Sequence, residues 1–386
     1  MIYLDAAATT QVRREVLQAM WPFLTGDFGN PSSSHALGAR AAEALKQARA
    51  TVASCLGCRP GEVIFTSGGT EADNLAIKGI ALAAPRGRHI VTSPIEHQAV
   101  LASCDFLHRL HGFQVSLAPV DSFGLVDPSR FAQLLRDDTT LCSIMLANNE
   151  VGTIQPIAEL ARLAHARGAR LHTDAVQAAG ALDLDIATLG VDALSLSGHK
   201  LGAPKGVGVL YLRGRVPLEP LVHGGGQQRG HRSGTEDVAG AVGFASALAL
   251  ASSGRAERSN AIGALRDQLI RGILQAVPQA ILTGHPANRL PGNASFCFPG
   301  TSGEAVLLQL EERGILCSSG SACAAGRDEP SHVLVAMGVA PDVAHTAVRL
   351  TLSDAVTAGN LPEIVAAVRD SCAAVRHGDP PVILAG

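Results

Sequence analysis

The chain has 386 residues, of which 47% are hydrophobic and 41 are glycine, and its formal net charge is -3, a composition that can bury a large α/β core without disulfide staples. Acids and bases are spread along the chain, so there is no basic stripe for nucleic acid, and no apolar run approaches the roughly 20 residues that span a bilayer. The opening "MIYLDAAATTQVRREV" has no charged segment followed by an apolar core, and eight cysteines are too sparse for a disulfide scaffold, so a reducing, cytoplasmic setting is expected.

In chain order, "GARAAEALKQARATVASCL" spaces alanine and leucine as a helix from Gly38 to about Leu56, with Arg40, Glu43, Lys46 and Arg49 on its polar side. The "CLGC" at its end has no second pair at zinc spacing, so no metal is expected there. The β-rich "EVIFTS" follows, then "GGTEADNLAIKGIALA" as a glycine turn opening a helix that carries Lys78. Alternation continues through "RHIVTSP", "HQAVLASCDFLHRLHG", "QVSLAPV", "TLCSIMLAN", "PIAELARLAHARG", "ARLHTDAVQ", "DALSLSG" and "GVGVLYLRG". Strands alternating with helices predict a mostly parallel sheet covered on both faces, with the site at the carboxyl ends of its strands.

After the loop "HGGGQQRGHRSGTED", which reads as too polar and glycine-rich to pack as core, the character changes. An alanine- and leucine-rich helical stretch leads to shorter elements, "NASFCFP", "SGEAVLLQLEERG", "HTAVRLTLS" and "LPEIVAAVRDSCAAV". We therefore expect a large domain over 15–255 and a smaller α+β domain formed by 1–14 together with 256–386.

Only four lysines occur, Lys46, Lys78, Lys200 and Lys205, against an arginine-rich background. Arginine stays protonated, whereas a desolvated lysine can serve as a nucleophilic amine. Lys200 in "SLSGHKLGAPKG" follows a hydrophobic run by one Ser-Gly-His step, which places its amine at a strand end; Lys205 fits a surface loop. Gly68, Gly69 and Thr70 lie between a strand and a helix, where free N–H groups and the positive helix end hold phosphate. Ser197 and His199 add donors beside the lysine. Together these suggest a phosphorylated aldehyde, and the absence of GxGxxG with a following acid disfavours a dinucleotide. Asp174, at the end of "LHTD", is costly to bury unless it faces a cation such as a protonated pyridine nitrogen, helix capping being the alternative.

The ordered set "YLDAAATT", "FGNPSSSH", "FTSGGTEADNLAIKG", "EHQAVL", "ANNEVGTIQPI", "HTDAVQAAG", "SLSGHKLGAPKGVG", "HGGGQQRGHRSGTEDV", "SSGSACAAG", "EPSHVLVAMG" and "VRLTLS" resembles the cysteine desulfurases, in the class V aminotransferase group of pyridoxal 5'-phosphate (PLP) enzymes. The likeness runs from about residue 2 to 370, and the long stretch between Cys323 and "EPSHVL" resembles group I, the NifS/IscS-like branch. It implies PLP fold type I, with a mostly parallel, seven-stranded-type sheet in the large domain and a smaller α+β domain. It also implies roles for single residues. Lys200 would bond covalently to PLP and then act as base, Asp174 would pair with the pyridinium, Gln177 would bind the phenolate oxygen, and His97 would stack on the ring and relay protons. Gly69, Thr70, Ser197 and His199 would hold the phosphate, with Thr235 reaching in from the second subunit of a homodimer. Asn149 and Arg349 would hold the substrate carboxylate.

Cys323 is the implied nucleophile, taking sulfur from L-cysteine as a persulfide and leaving L-alanine. It lies in a run of small residues, unlike the cysteines of "CLGC", "ASCDF", "TLCSI", "SFCFP" and "DSCAAV", which read as core thiols, and Cys317, which reads as closing a strand. The sulfur acceptor stays open among iron-sulfur assembly, tRNA thiolation and DNA phosphorothioation, and no direct nucleic-acid or membrane contact is expected. A selenocysteine lyase or another class V aminotransferase would keep Lys200 and Asp174 without needing the loop thiol, and a sulfur-partner or scaffold protein that retains the fold without turnover would show no absorbance near the visible edge and make no alanine.

Overall fold

A computed structural model describes residues 1–320 and 329–375. Strand β1 (Ile2–Tyr3) precedes two helices, Arg14–Thr25 and Ala36–Leu56. Then come β2 (Val63–Thr66), β3 (His89–Thr92), β4 (Gln114–Leu117), β5 (Thr139–Ser143), β6 (Arg170–Asp174), β7 (Ala193–Ser197) and β8 (Gly208–Leu212). Among the described residues these seven form one sheet in the order β2-β8-β7-β6-β5-β3-β4. Only β8 runs against the rest, pairing antiparallel with both β2 and β7. The carboxyl ends of β2, β6 and β7 therefore meet along one edge, the place where such sheets build sites.

Alternation along the strands fills both faces. Phe65, Cys142, Leu194 and Val209 point into one apolar cluster with the helices Arg14–Thr25, Ala36–Leu56 and Val238–Ser252. Ile64, Leu141, Ala193 and Leu210 point into the other, with helices Gly69–Ala83 and Gln98–His111. Both faces of the central strands are covered, so β5, β6 and β7 bury polar residues such as Thr140, His172 and Ser195 along with their apolar ones.

The later part of the chain builds a three-stranded antiparallel sheet, β12-β10-β9, from β9 (Ile281–Leu282), β10 (Asn293–Cys297) and β12 (Ala347–Thr351). A short β11 (Ile315–Leu316) pairs parallel with β1. Leu4 enters the core of this part beside Phe296, Val348, Leu350 and Val368, and Asp5 bridges to Thr351.

Two details differ from the sequence reading. Arg49 does not share the solvated face of its helix; its guanidinium is turned inward to the Val63 carbonyl and to Gln228 Oε1, at 3.0 Å from the latter. The glycine-rich loop does enter the core at one point, because Gln228 is buried and its Oε1 accepts the Phe65 N–H at 2.9 Å. A long polar side chain can satisfy a strand's unused donor from outside the sheet. Lys46 is exposed and pairs with Glu43 at 3.1 Å, and the Lys78 ammonium lies 4.3 Å from the centre of the Phe106 ring.

Candidate active site

The side expected to hold phosphate is built by glycine. Gly68 has φ 156° and no side chain to cap the helix Gly69–Ala83, so the first-turn N–H groups of a 15-residue helix are left for a ligand. Gly208 lies so close that a Cβ on it would stand 2.5 Å from the carbonyl carbon of Gly68. A Cβ on Gly69 would stand 2.8 Å from Val176 Cγ2 and 3.4 Å from Ser197 Cβ. The helix start, the residue following the Asp174 turn and the end of β7 are thus in contact. Thr70 is exposed at this opening and Ser197 is buried beneath it.

Lys200 ends a single 3-10 turn, Gly198–Lys200, directly after β7. Its Nζ donates to the carbonyls of Ala7 and Ala8, the latter at 2.7 Å. Gln177 Nε2 donates to the same Ala7 carbonyl at 3.0 Å. His199 Nδ1 lies 3.2 Å from Thr9 Oγ1, and Thr10 Oγ1 donates to the His199 carbonyl at 2.8 Å. Burial, with Lys200 and Lys205 nearby, pushes the His199 pKa down to about 4. A cavity of about 780 Å³ opens on this side of Lys200 and Gln177, walled by Ala7, Arg13, Leu290 and Thr351. Thr70, His97 and Asp174 are not in its wall, so the lysine stands between this cavity and the phosphate side.

Beneath the site lie three buried acids. Asp174 Oδ1 accepts the Val176 N–H at 2.9 Å. Its pKa is raised by burial, against the opposing influence of His97 and Lys200. Asp73 is raised well above the carboxylate range by burial and by Asp174, and burial brings Glu96 to about 8. His172, two residues before Asp174 on the same strand, is pushed down to about 3 by burial, and its ring nitrogens lie 2.9 Å from Ser143 Oγ and Ser195 Oγ. His97 caps the helix Gln98–His111 by accepting the Ala99 N–H at Nδ1, 3.1 Å.

On the opposite wall, Arg349 of β12 is 3% exposed. Its Nη2 donates to Asp5 Oδ1 at 2.9 Å and its Nη1 to the Asn149 carbonyl at 2.9 Å, while its buried Nε has no partner. Cys317 is half-buried beside this pair, and burial, with Asp5 adding to it, pushes its thiol to about 12.

The predicted residues Gly69, Asp174, Gln177, Ser197 and Lys200 are therefore gathered along one strand edge and the chain segments leaving it. Arg349 and Asn149 meet through a main-chain carbonyl. Thr235 lies exposed on the loop that Arg232 ties to Glu71, at 2.9 Å and 3.3 Å. Cys323 lies outside the described residues. Sequence reasoning missed Asp5, Asp73, Glu96 and Glu150, although each stands inside a motif that it quoted.

The donor set fits PLP. An uncapped helix start matches a phosphate dianion, and a carboxylate raised by burial matches a pyridinium. Residues 2–362 match the family model described as aminotransferase class-V. The sequence is 46% identical over 380 residues to the cysteine desulfurase IscS of Methanosarcina thermophila, covering 98% of this chain and 94% of that one. A solved NifS-like protein aligns with TM-score 0.90 and 38% identity over 97% of this chain and 100% of its own. A structure of SspA in complex with cysteine aligns with TM-score 0.80 and 36% identity, covering 91% and 99%.

Proposed function

Because the chain belongs to the aminotransferase class-V family and is a PLP-dependent cysteine desulfurase, we propose that it works as a homodimer in which Cys323 takes the sulfur of L-cysteine as a persulfide and passes it to a protein acceptor. When bound, PLP supplies an electrophilic carbon and a ring that draws electrons from the substrate. The start of helix Gly69–Ala83, with Thr70, Ser197 and His199, would hold the phosphate, and Thr235 from the second subunit would complete that cup. Asp174 would pair with the ring nitrogen, Gln177 would donate to the ring oxygen, and His97 would pack against the ring. Lys200 Nζ would hold the cofactor and move the Cα proton of cysteine.

Arg349, aided by Asn149, holds the substrate carboxylate through its guanidinium. The Cys323 thiolate then attacks the substrate sulfur. An S–S bond forms as the Cβ–S bond breaks, and that electron pair stays with the three-carbon fragment, which is protonated and leaves as L-alanine. One thiol and L-cysteine give one persulfide and L-alanine, so no oxidant is needed.

The observation that carries the assignment of Cys323 is the state of the other thiols. All seven described cysteines are buried or half-buried, and burial raises Cys55, Cys58, Cys104, Cys142, Cys297 and Cys317 above the ordinary thiol range, which leaves them poor nucleophiles at neutral pH. Cys323→Ser should keep the change in cofactor absorbance that L-cysteine causes, yet make almost no alanine. A persulfide-trapping reagent should label Cys323 in the wild type after brief turnover. Label on Cys317 instead, or near-normal turnover by Cys323→Ser, would refute the reading.

A further inference from the structure

Glu150 is 3% exposed, and the reaction described above gives it no task. Its backbone is fixed on both sides: its N–H donates to Asn148 Oδ1 at 2.8 Å, and its carbonyl accepts from Asn293 Nδ2 at 3.1 Å. Burial raises its carboxyl pKa, and the Ser331 hydrogen bond, His332, Arg349 and His97 oppose that rise. A carboxyl group held in such a place without a contact to exploit would be a plain cost.

What it touches is the chain on both flanks of Cys323. Ser331 Oγ donates to Glu150 Oε2, and the same hydroxyl caps the helix His332–Ala336 by accepting the Leu334 N–H at 3.2 Å. His332 Nε2 lies 3.0 Å from the Glu96 carbonyl, one residue before His97. On the other flank, Gly320 is pressed against the same carboxyl: a Cβ there would stand 2.8 Å from Oε2 and 3.3 Å from Glu150 Cβ. Gly320 has no positive φ, so only space requires glycine there.

We propose that Glu150 is a positioning residue that bonds one flank of the Cys323 stretch through Ser331 and packs against the other at Gly320, setting both against the wall of the substrate site beside Asn149 and Arg349. The inference rests on the reading of Cys323 as the sulfur-accepting thiol. Joining the two flanks at one point fixes where the described chain on either side of Cys323 leaves off and resumes. Substrate binding does not need that constraint. Sulfur transfer does, because a thiol must meet a sulfur atom held elsewhere in the site.

The test uses holoenzyme carrying Glu150→Ala, Glu150→Gln, Ser331→Ala or Gly320→Ala. Four quantities are measured: the midpoint of the L-cysteine titration of cofactor absorbance, kcat and KM for alanine formation, and the rate at which iodoacetamide labels Cys323 without substrate. Glu150→Ala, Ser331→Ala and Gly320→Ala should lower kcat by about 10- to 100-fold and change Cys323 labelling by about fivefold or more, while KM and the titration midpoint stay within about threefold. Glu150→Gln, which still accepts from Ser331, should keep most of the activity, an outcome a simple loss of folding would not give. Wild-type kcat and labelling in the first three variants would overturn the proposal. So would a titration that weakens as much as kcat, because Glu150 would then serve substrate binding. If Cys323→Ser turns over normally, the persulfide reading fails, and the labelling rates still decide by themselves whether Glu150 holds the flanks.

Discussion

The two walls of the site handle buried charge in opposite ways. Along the large-sheet edge, Asp174, Asp73 and Glu96 are buried acids, all raised by burial, and Asp73 Oδ1 and Glu96 Oε2 have no hydrogen-bond partner. Across the cleft, Arg349 already has its counter-ion in Asp5, and Glu150 already has Ser331. An uncompensated wall gains stability when a cationic ring arrives; a compensated wall must trade one partner for another. With the roles proposed above, cofactor binding completes an electrostatic arrangement, whereas substrate binding rearranges one.

The largest test of this contrast removes the residue between the walls. Lys200→Ala should lower alanine formation by about 10⁴-fold or more, while the protein still holds PLP through the helix start and Asp174, as read from the absorbance of dialysed protein. Mixing Lys200→Ala with an inactive Thr235→Ala should restore part of the turnover in heterodimers, since one composite site is then intact. Unrestored activity in demonstrated heterodimers would count against the shared cup.

A smaller effect is expected on the paired wall. Arg349→Ala should raise KM for L-cysteine by about 10- to 100-fold, the worth of a charged hydrogen bond. Asp5→Asn should do the reverse, lowering KM by roughly threefold, because Arg349 no longer shares its charge with Asp5. A raised KM in Asp5→Asn would mean that Asp5 serves mainly to aim the guanidinium.

The smallest effect belongs to the unpaired wall in the apoenzyme. With its folded pKa near 8, above the unfolded value of about 4.3, neutral Glu96 contributes stability that is fully present below about pH 4 and is lost as the pH rises through 8. Glu96→Gln should flatten that loss, raising Tm at pH 8 by about 2–4 °C, on the order of 1–2 kcal/mol. Equal Tm values for the two proteins at pH 5 and pH 8 would remove Glu96 as the cause.

Much of this arrangement was legible in the residues. The alternation of strands with helices announced a mostly parallel sheet covered on both faces. The Gly68–Thr70 turn, Asp174 and Lys200 each stood where a strand gives way to a loop. The resemblance supplied roles for Arg349 and Thr235 that no local pattern reveals. Asp5, Glu96 and Glu150 could not be read as site residues, because their meaning comes from burial and from partners far away in sequence, and an acid within a motif looks the same whether it caps a helix or faces a cavity. Arg49 misled for the same reason: helical spacing gives a direction from the axis, and only the neighbouring strand shows that this direction leads inward.

The pairing of Ile2 and Tyr3 with Ile315 and Leu316, and of Asp5 with Thr351, bears on how the protein is made. At about 5–20 residues per second, the ribosome takes on the order of 20–60 s between the first of these partners and the last. The large sheet can close during that interval, because its strands lie between residues 63 and 212. The leading segment cannot, since its strand partners have not yet been translated. Until they emerge, Thr10 can already bond to His199 and Gly202, but the Ala7 N–H lacks its Thr351 acceptor, so the segment whose carbonyls receive the Lys200 amine is fastened at one end. The large sheet can therefore fold well before that segment is fastened at both of its ends.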